Sequence, residues 1–305
     1  MIPAVARRDL EAVLGDRVRF GIPLAQHTSL RVGGAADAIV APANRPEMAE
    51  LLAVCHAHRL PHVVLGSGFN ALVRDGGFAG VVIRTNLWRC LEERPGEELR
   101  AETGVSHSQL TNFCVEHGLS GLEFGCGIPG SIGGWVMMNA GIPGREVGDV
   151  LREVEVMSPT GKTIRHLKRE NLQYSYRALR GLAAGSVVLS ALFAVQIAPS
   201  EEIRAEVARL LAARASAQPL HLPSCGSVFK NPAGDYAGRL IDSVGLKGLR
   251  IGNAQISPVH ANFITNLGGA TAADVQALIE EAQKQVFDAT GIRLVPEVRI
   301  MGRRT

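Results

Sequence analysis

The sequence predicts an α+β protein built from more than one domain, and three observations carry that reading. Its 305 residues exceed what one small core organises. Apolar residues recur at helical spacing in some segments and alternate at strand spacing in others, so both element types are expected side by side. The 34 glycines gather most densely in residues 125–144 instead of spreading evenly, which marks a built loop and not a general softness of the chain.

The first helical pattern is RPEMAELLAVCHAHRLP, with Met48, Leu51, Leu52 and Cys55 on one face and a proline closing it. HVVLGSGFNALVRD runs from a short β-branched strand through a glycine turn into another apolar run, and GVVIRT gives a second strand. Gly66 and Gly68 therefore stand where a strand ends and backbone N–H groups can approach a phosphate. SHSQLTNFCVEHGLSGLEF predicts a helix over 106–117 closed by Gly118. In GCGIPGSIGGWVMMNAGIPG, residues 125–144, Ile, Pro, Trp, Val and Met interleave with the glycines, unlike a Gly/Ser spacer. The expectation is a buried loop packed against something flat, since glycine allows close backbone approach.

EVEVMSPTGKTIRHL alternates around a turn and predicts a hairpin, and GSVVLSALFAVQIAP a long strand. SEEIRAEVARLLAARAS follows as a charged amphipathic helix, and the irregular AQPLHLPSCGS after it marks a domain boundary near 200–220. The last third has its own elements: a helix in YAGRLIDSVGL, a strand-like AQISPVHANFITN and a helix beginning at Thr271. Thr271 and Asp274 resemble a capping box, and Val275, Leu278, Ile279, Ala282 and Val286 make one apolar face. IRLVPEVRI predicts a final strand.

The formal net charge of +3 is dispersed, which suits a small anionic ligand, and 5% aromatic residues argue against a single-strand stacking platform. Cys55, Cys90, Cys114, Cys126 and Cys225 stand apart without a Cys-x-x-Cys pair, and the nine histidines have no zinc spacing. Reduced thiols and no metal are expected. No segment approaches the roughly 18 apolar residues of a membrane span, and the N-terminus lacks an uninterrupted apolar signal core. The expected setting is soluble and cytoplasmic, without nucleic acid.

Several residues have two readings at this level. LGSGFN is either an ordinary turn or a pyrophosphate cradle, but it lacks both the third glycine of a dinucleotide fingerprint and the Gly-Lys-Ser/Thr of a P-loop. Ser227, in PSCGSVFKNP, has no Gly-x-Ser-x-Gly elbow and no neighbouring base, which disfavours an acyl-transfer nucleophile and leaves a turn hydroxyl as the plain reading, with a chemical role open. Lys230 is a surface ammonium or a ligand contact. Glu297 and Arg299, two apart in a strand, share one face, with Glu297 either an exposed edge carboxylate or a site acid. Arg177 pairs with a carboxylate or anchors an anion. His260 is a core histidine or a ligand.

The ordered set TSLRVGG (28–34), LGSGFNALVRDGGFAGVVI (65–83), GLEFGCGIPGSIGGWVMMNAG (121–141), YSYR (174–177), GSVFKNP (226–232), AGRLIDSVGLKG (237–248), HANFITN (260–266) and PEVRI (296–300) resembles one family, the UDP-N-acetylenolpyruvoylglucosamine reductases, in their compact second type. The resemblance implies a two-part FAD-binding domain of the vanillyl-alcohol-oxidase type over 1–200, divided near 85–100, and an α+β substrate domain over 201–305. It implies FAD-dependent reduction of UDP-N-acetylglucosamine enolpyruvate to UDP-N-acetylmuramate with NADPH, in peptidoglycan precursor synthesis, with the flavin held non-covalently. By motif, Ser227 matches the family's proton donor, Glu297 its acidic residue and Arg177 the arginine that steadies negative charge. Gly66, Ser67, Gly68, Phe69 and Asn70 then cradle the FAD pyrophosphate. Gly127, Ile128, Pro129 and Gly130, with Ser131, Gly133 and Gly134, let backbone approach the cofactor. Tyr176, Lys230, Asn231 and His260 fall at the UDP-sugar. His27 stands where the family has Asn, Phe69 where it has Ser, and Ala178-Leu179 lacks the usual serine after the Tyr-Arg pair. Two other functions compete: a different flavin oxidoreductase of the same fold, and a non-catalytic nucleotide-sugar binding protein.

Overall fold

A computed structural model describes residues 2–304. Two compact units emerge. One comprises the segment ending at Phe20 with Ala38–Ser67 and Gly80–Arg214; the other comprises Gly21–Asp37, Gly68–Ala79 and the chain from Ala215 onward.

The first unit has two apolar cores. Helices Ala4–Leu14 and Arg45–Ala57 pack around the parallel strand pair His62–Val64 and 81–83. Asn44 caps the second helix by accepting from the Glu47 N–H, and Leu10, Leu51, Leu52 and Ile83 are sealed beneath it. The second core lies on a five-stranded antiparallel sheet, Ile164–Lys168, Leu151–Met157, Val187–Ala194, Glu98–Glu102 and Leu91–Arg94 in spatial order. Trp135, Val154 and Phe193 fill it. A half-buried ion pair joins the two parts of this unit. Arg45 forks onto Glu155 at 2.7 and 2.6 Å, and Ser190 donates to the same carboxylate at 2.7 Å. Burial raises the Glu155 carboxyl pKa, but Arg45 and Ser190 outweigh it and hold the group below its usual range.

In the other unit, strands Ser224–Ser227, Phe263–Asn266, Ala254–Ile256 and Arg250–Ile251 form an antiparallel sheet covered by helices Ala237–Ser243 and Ala272–Thr290. The long helix has the expected Thr271/Asp274 capping box, its five-residue apolar face is buried, and Gly291 closes it in left-handed geometry. Asp75 adds a second cap, accepting from the N–H groups of Ala272 and Ala273 at 2.9 Å each.

Four expectations change in detail. The glycine run 125–144 is not all loop: Ile132–Met138 is helical, concealed by Gly133 and Gly134, whose low propensity breaks the pattern. Gly133 is required there, because a Cβ would drive into the Thr103 hydroxyl. The flat partner of Gly125 is the indole of Trp135, within the same run. AQISPVHANFITN is two strands, divided at Pro258. Helix Ser200–Ala217 buries only Ile203, so its amphipathic stripe is narrower than the spacing suggests. The final strand is confined to Arg299–Met301, preceded by an isolated bridge at Pro296. Helix Ala4–Leu14, whose buried Ala6, Leu10 and Leu14 recur at helical spacing, and the charged hairpin 91–102 were not anticipated.

Candidate active site and cofactor cavity

Ser227 ends a strand whose register against Phe263–Asn266 slips between Ser224 and Ser227, with Gly226 at φ 72° inside the slip. Such a bulge re-aims the next side chain. The backbone beyond it is clamped. Asn262 accepts from the Phe229 N–H and donates to the Phe229 carbonyl, both at 2.9 Å, while its own carbonyl accepts from Val228 N–H. The Val228 carbonyl takes two donors, Glu297 N–H at 2.7 Å and Val298 N–H at 3.3 Å. Lys230 N–H bonds the Val295 carbonyl. Residues 227–230 are thus laced along 295–298, bringing Ser227 and Glu297, 70 positions apart in sequence, to one backbone junction. Two consecutive donors on one carbonyl break strand alternation, so Glu297 is not in a regular strand and the expected shared face with Arg299 does not follow. Asn70 donates to the Glu297 carbonyl at 3.2 Å and so steadies this junction.

Around it, Cys225 is pushed up to about 12 by burial, which keeps it a thiol. His260 is pulled down by burial, with Lys247 acting the same way, and is therefore neutral at pH 7. Its Nδ1 accepts from Asn262 N–H, so the ring proton sits on Nε2 as a donor. The Asn231 Oδ1 is engaged in capping helix Ala237–Ser243 through the Ala237 N–H at 3.0 Å.

The first unit holds a cavity of about 380 Å³, walled by Gly66, Ser67 and Ser131 together with Arg84, Arg89, Ser106 and neighbouring polar groups. Gly66 lies tight against this wall: a Cβ there would displace the Ser131 Oγ. The Ser131 hydroxyl is not taken up in capping helix Ile132–Met138. Arg84 is pulled below the usual arginine value by burial and then by the Arg19 guanidinium. An arginine does not give up its proton under such pressure; it favours an anion beside it. No lining residue carries a carboxylate. Guanidinium groups, hydroxyls and a glycine turn at a strand end are a donor set that fits the diphosphate of FAD.

Of the twelve residues expected at the cofactor, Gly66, Ser67 and Ser131 line this cavity. Gly133 packs on Thr103, Gly127 lies against Leu211 and Arg214, and Gly134 is exposed. Gly68, Phe69 and Asn70 fall in the other unit, where Gly68 is pressed against the His27 carbonyl. Arg84, Arg89, Ser106 and Gln109 escaped sequence reasoning. The only signal was the Ser-x-x-Gln box at 106–109, which the structure confirms as a reciprocal cap.

Arg177 occupies a left-handed backbone (φ 54°) at the second position of a two-residue turn, between paired Ser175 and Ala178. Its guanidinium donates to the carbonyls of Gly141 at 2.8 Å and Asn139 at 3.4 Å, and lies 5.1 Å from the Tyr176 ring centre. Arg214 is pulled down by burial and, opposed by Cys126, by Arg177, which makes the surroundings cationic.

Residues 36–166 match the FAD binding domain family, and residues 218–301 match the C-terminal domain of UDP-N-acetylenolpyruvoylglucosamine reductase. The chain is 43% identical over 296 residues to the UDP-N-acetylenolpyruvoylglucosamine reductase of Geotalea uraniireducens, covering 97% of this chain and 98% of the relative. Against that of Geobacter metallireducens the identity is 44% over 293 residues, covering 96% and 97%. The crystal structure of the reductase from Thermus caldophilus superposes with a TM-score of 0.80 at 36% identity, covering 92% of this chain and 98% of that one.

Proposed function

The chain belongs to the UDP-N-acetylenolpyruvoylglucosamine reductase family, a group of FAD-dependent oxidoreductases of peptidoglycan precursor synthesis, and from that premise we propose that Ser227, Glu297 and Arg177 carry its chemistry with NADPH as hydride donor. The substrate is UDP-N-acetylglucosamine enolpyruvate, and its nucleotide-sugar and dinucleotide chemistry puts the enzyme in the cytoplasm. No helix among the described residues is long and apolar enough to cross a membrane.

The observation that carries this reading is the junction at which the Val228 carbonyl receives the Glu297 N–H, next to Ser227. An enolpyruvyl ether is an alkene conjugated to a carboxylate. When bound, FAD would supply the hydride chemistry that the reduction of the methylene carbon needs, with NADPH as the source of the electrons. Negative charge then builds on the neighbouring carbon and its carboxylate, and the product requires one proton at that carbon. Ser227 returns the proton from its hydroxyl and is itself reprotonated from solvent. A serine is a weak acid, so charge must be stabilised where it develops; Arg177, held by two carbonyls before substrate arrives, supplies a preorganised cation. Glu297 holds a proton or a water at the same carbon. Lys230, Asn231, His260 and Tyr176 bind the UDP-sugar: His260 offers its Nε2–H, and Asn231 offers its amide N–H groups while its oxygen caps a helix. Arg84, Arg89, Ser67 and Ser131 hold the FAD diphosphate.

Ser227→Ala is expected to lower kcat by about 10²-fold or more, the scale of a lost general acid, with flavin content and nucleotide-sugar affinity kept. Turnover at the wild-type rate would remove Ser227 from the mechanism.

A further inference from the structure

We infer that Asn139 is the positioning residue for Arg177, holding by its side chain the turn that carries the arginine and by its carbonyl the guanidinium itself. The inference rests on the reading of Arg177 as the group that stabilises developing negative charge.

Asn139 is fully buried, at 0% exposure, in a left-handed backbone (φ 45°) that closes helix Ile132–Met138. Asparagine tolerates that conformation better than any other large residue would. Its side chain spends its bonding capacity in two directions. Toward helix Val147–Val150, Oδ1 accepts from the Gly148 N–H at 2.9 Å and Nδ2 donates to Glu146 Oε1 at 2.6 Å. Toward the Arg177 turn, Nδ2 donates to the Ser175 carbonyl at 3.2 Å. The left-handed backbone then turns the Asn139 carbonyl outward, where it accepts from Arg177 Nη1, while the Gly141 carbonyl takes Nη2.

Asn139 thus bridges two helix ends to both the backbone and the head group of one short hairpin, 173–180. The hairpin needs such a hold. Arg177 sits at positive φ, a backbone conformation unfavourable to a residue with a side chain, so a turn left to itself would drift to other geometries. A guanidinium acts on developing charge only if its donors are aimed in advance, and displacement of a catalytic group by about 1 Å can cost about 10²-fold.

The test is a double-mutant cycle on holoenzyme. Asn139→Gly keeps the left-handed backbone and carbonyl but removes the three side-chain bonds. It is expected to lower kcat by roughly 10- to 100-fold, with KM for the enolpyruvyl substrate moving less than about threefold. In an Arg177→Met background the same change should cost less than about threefold, because there is no guanidinium left to aim. Equal factors in the two backgrounds, or wild-type kcat for Asn139→Gly, would overturn the proposal while leaving the role of Arg177 intact. Wild-type kcat for Arg177→Met would overturn the reading of Arg177 and this inference with it. If the glycine variant purifies without flavin, the pair Asn139→Asp/Glu146→Gln takes its place in the cycle. It restores an amide-carboxylate bond between the two positions and sets an acceptor oxygen against the Ser175 carbonyl in place of its donor, and the same loss confined to the Arg177 background is expected.

Discussion

Placing a methyl group at position 66 tests the cavity wall directly. A Cβ on Gly66 falls inside 3.0 Å of the Ser131 Oγ, a separation that real side chains do not adopt, whereas the Ser131 Cβ remains 3.6 Å away, an ordinary contact. The conflict is therefore with one oxygen atom. Relief by turning the serine off its rotamer costs about 0.5–1.5 kcal/mol, and relief by moving the wall about 1–3 kcal/mol. Either route takes the hydroxyl or the turn out of its place in the cavity. Gly66→Ala is thus expected to weaken FAD binding about tenfold or more, 1.4 kcal/mol per decade, and to lower the apoprotein's stability by about 1–2 kcal/mol. Ser131→Ala alone removes one neutral hydrogen bond, about 1 kcal/mol or roughly fivefold in affinity. In the double variant the offending oxygen is gone, so the losses should fall short of additive by about 1–2 kcal/mol. Quenching of flavin fluorescence on titration into apoprotein gives the affinities, and urea unfolding of the apoprotein gives the stabilities. Strict additivity, or wild-type affinity in Gly66→Ala, would refute the placement of Gly66 against Ser131.

Two further outcomes follow from the same contacts. Asn262→Ala strips both hydrogen bonds from the buried Phe229 backbone and is expected to destabilise the C-terminal unit by about 2–4 kcal/mol in urea unfolding, with kcat falling as residues 227–230 loosen. Glu155→Gln should cost about 1–3 kcal/mol at pH 7, a figure discounted because Arg45 is 38% exposed. The folded carboxyl pKa is depressed. Its contribution is therefore complete above the unfolded value of roughly 4.3 and is lost as pH falls through the folded value, so wild type and variant should converge in stability only in acid.

Local signals in the sequence were reliable where one principle acted alone. The Thr271/Asp274 box, the buried face of Val275, Leu278, Ile279, Ala282 and Val286, and the Gly118 stop all appear in the structure. They fail where tertiary contact overrides propensity. Gly133 sits in a helix because Thr103 leaves no room for a side chain, a fact that no window of sequence contains. Glu297 leaves strand geometry because the Val228 carbonyl takes two donors, which the pattern of LVPEVRI does not encode. The reductase family was legible from motif order, and the relatives confirm it. The cavity's charge was not: Arg84 and Arg89 flank a strand end and a turn with no distinguishing motif, and only folding sets them beside Gly66. Asn139 was likewise hidden, since its value lies in a left-handed backbone and in three partners 7, 9 and 36 positions along the chain that no motif marks.

The central claim is that this chain reduces an enolpyruvyl nucleotide sugar with electrons from NADPH through its flavin. Anaerobic protein reduced with one equivalent of NADPH, then mixed with UDP-N-acetylglucosamine enolpyruvate, tests it in one visible spectrum. The oxidised-flavin band is expected to return within the time of a turnover, with UDP-N-acetylmuramate formed in equal amount. A flavin that NADPH does not bleach, or one that stays bleached after the substrate is added, would contradict it.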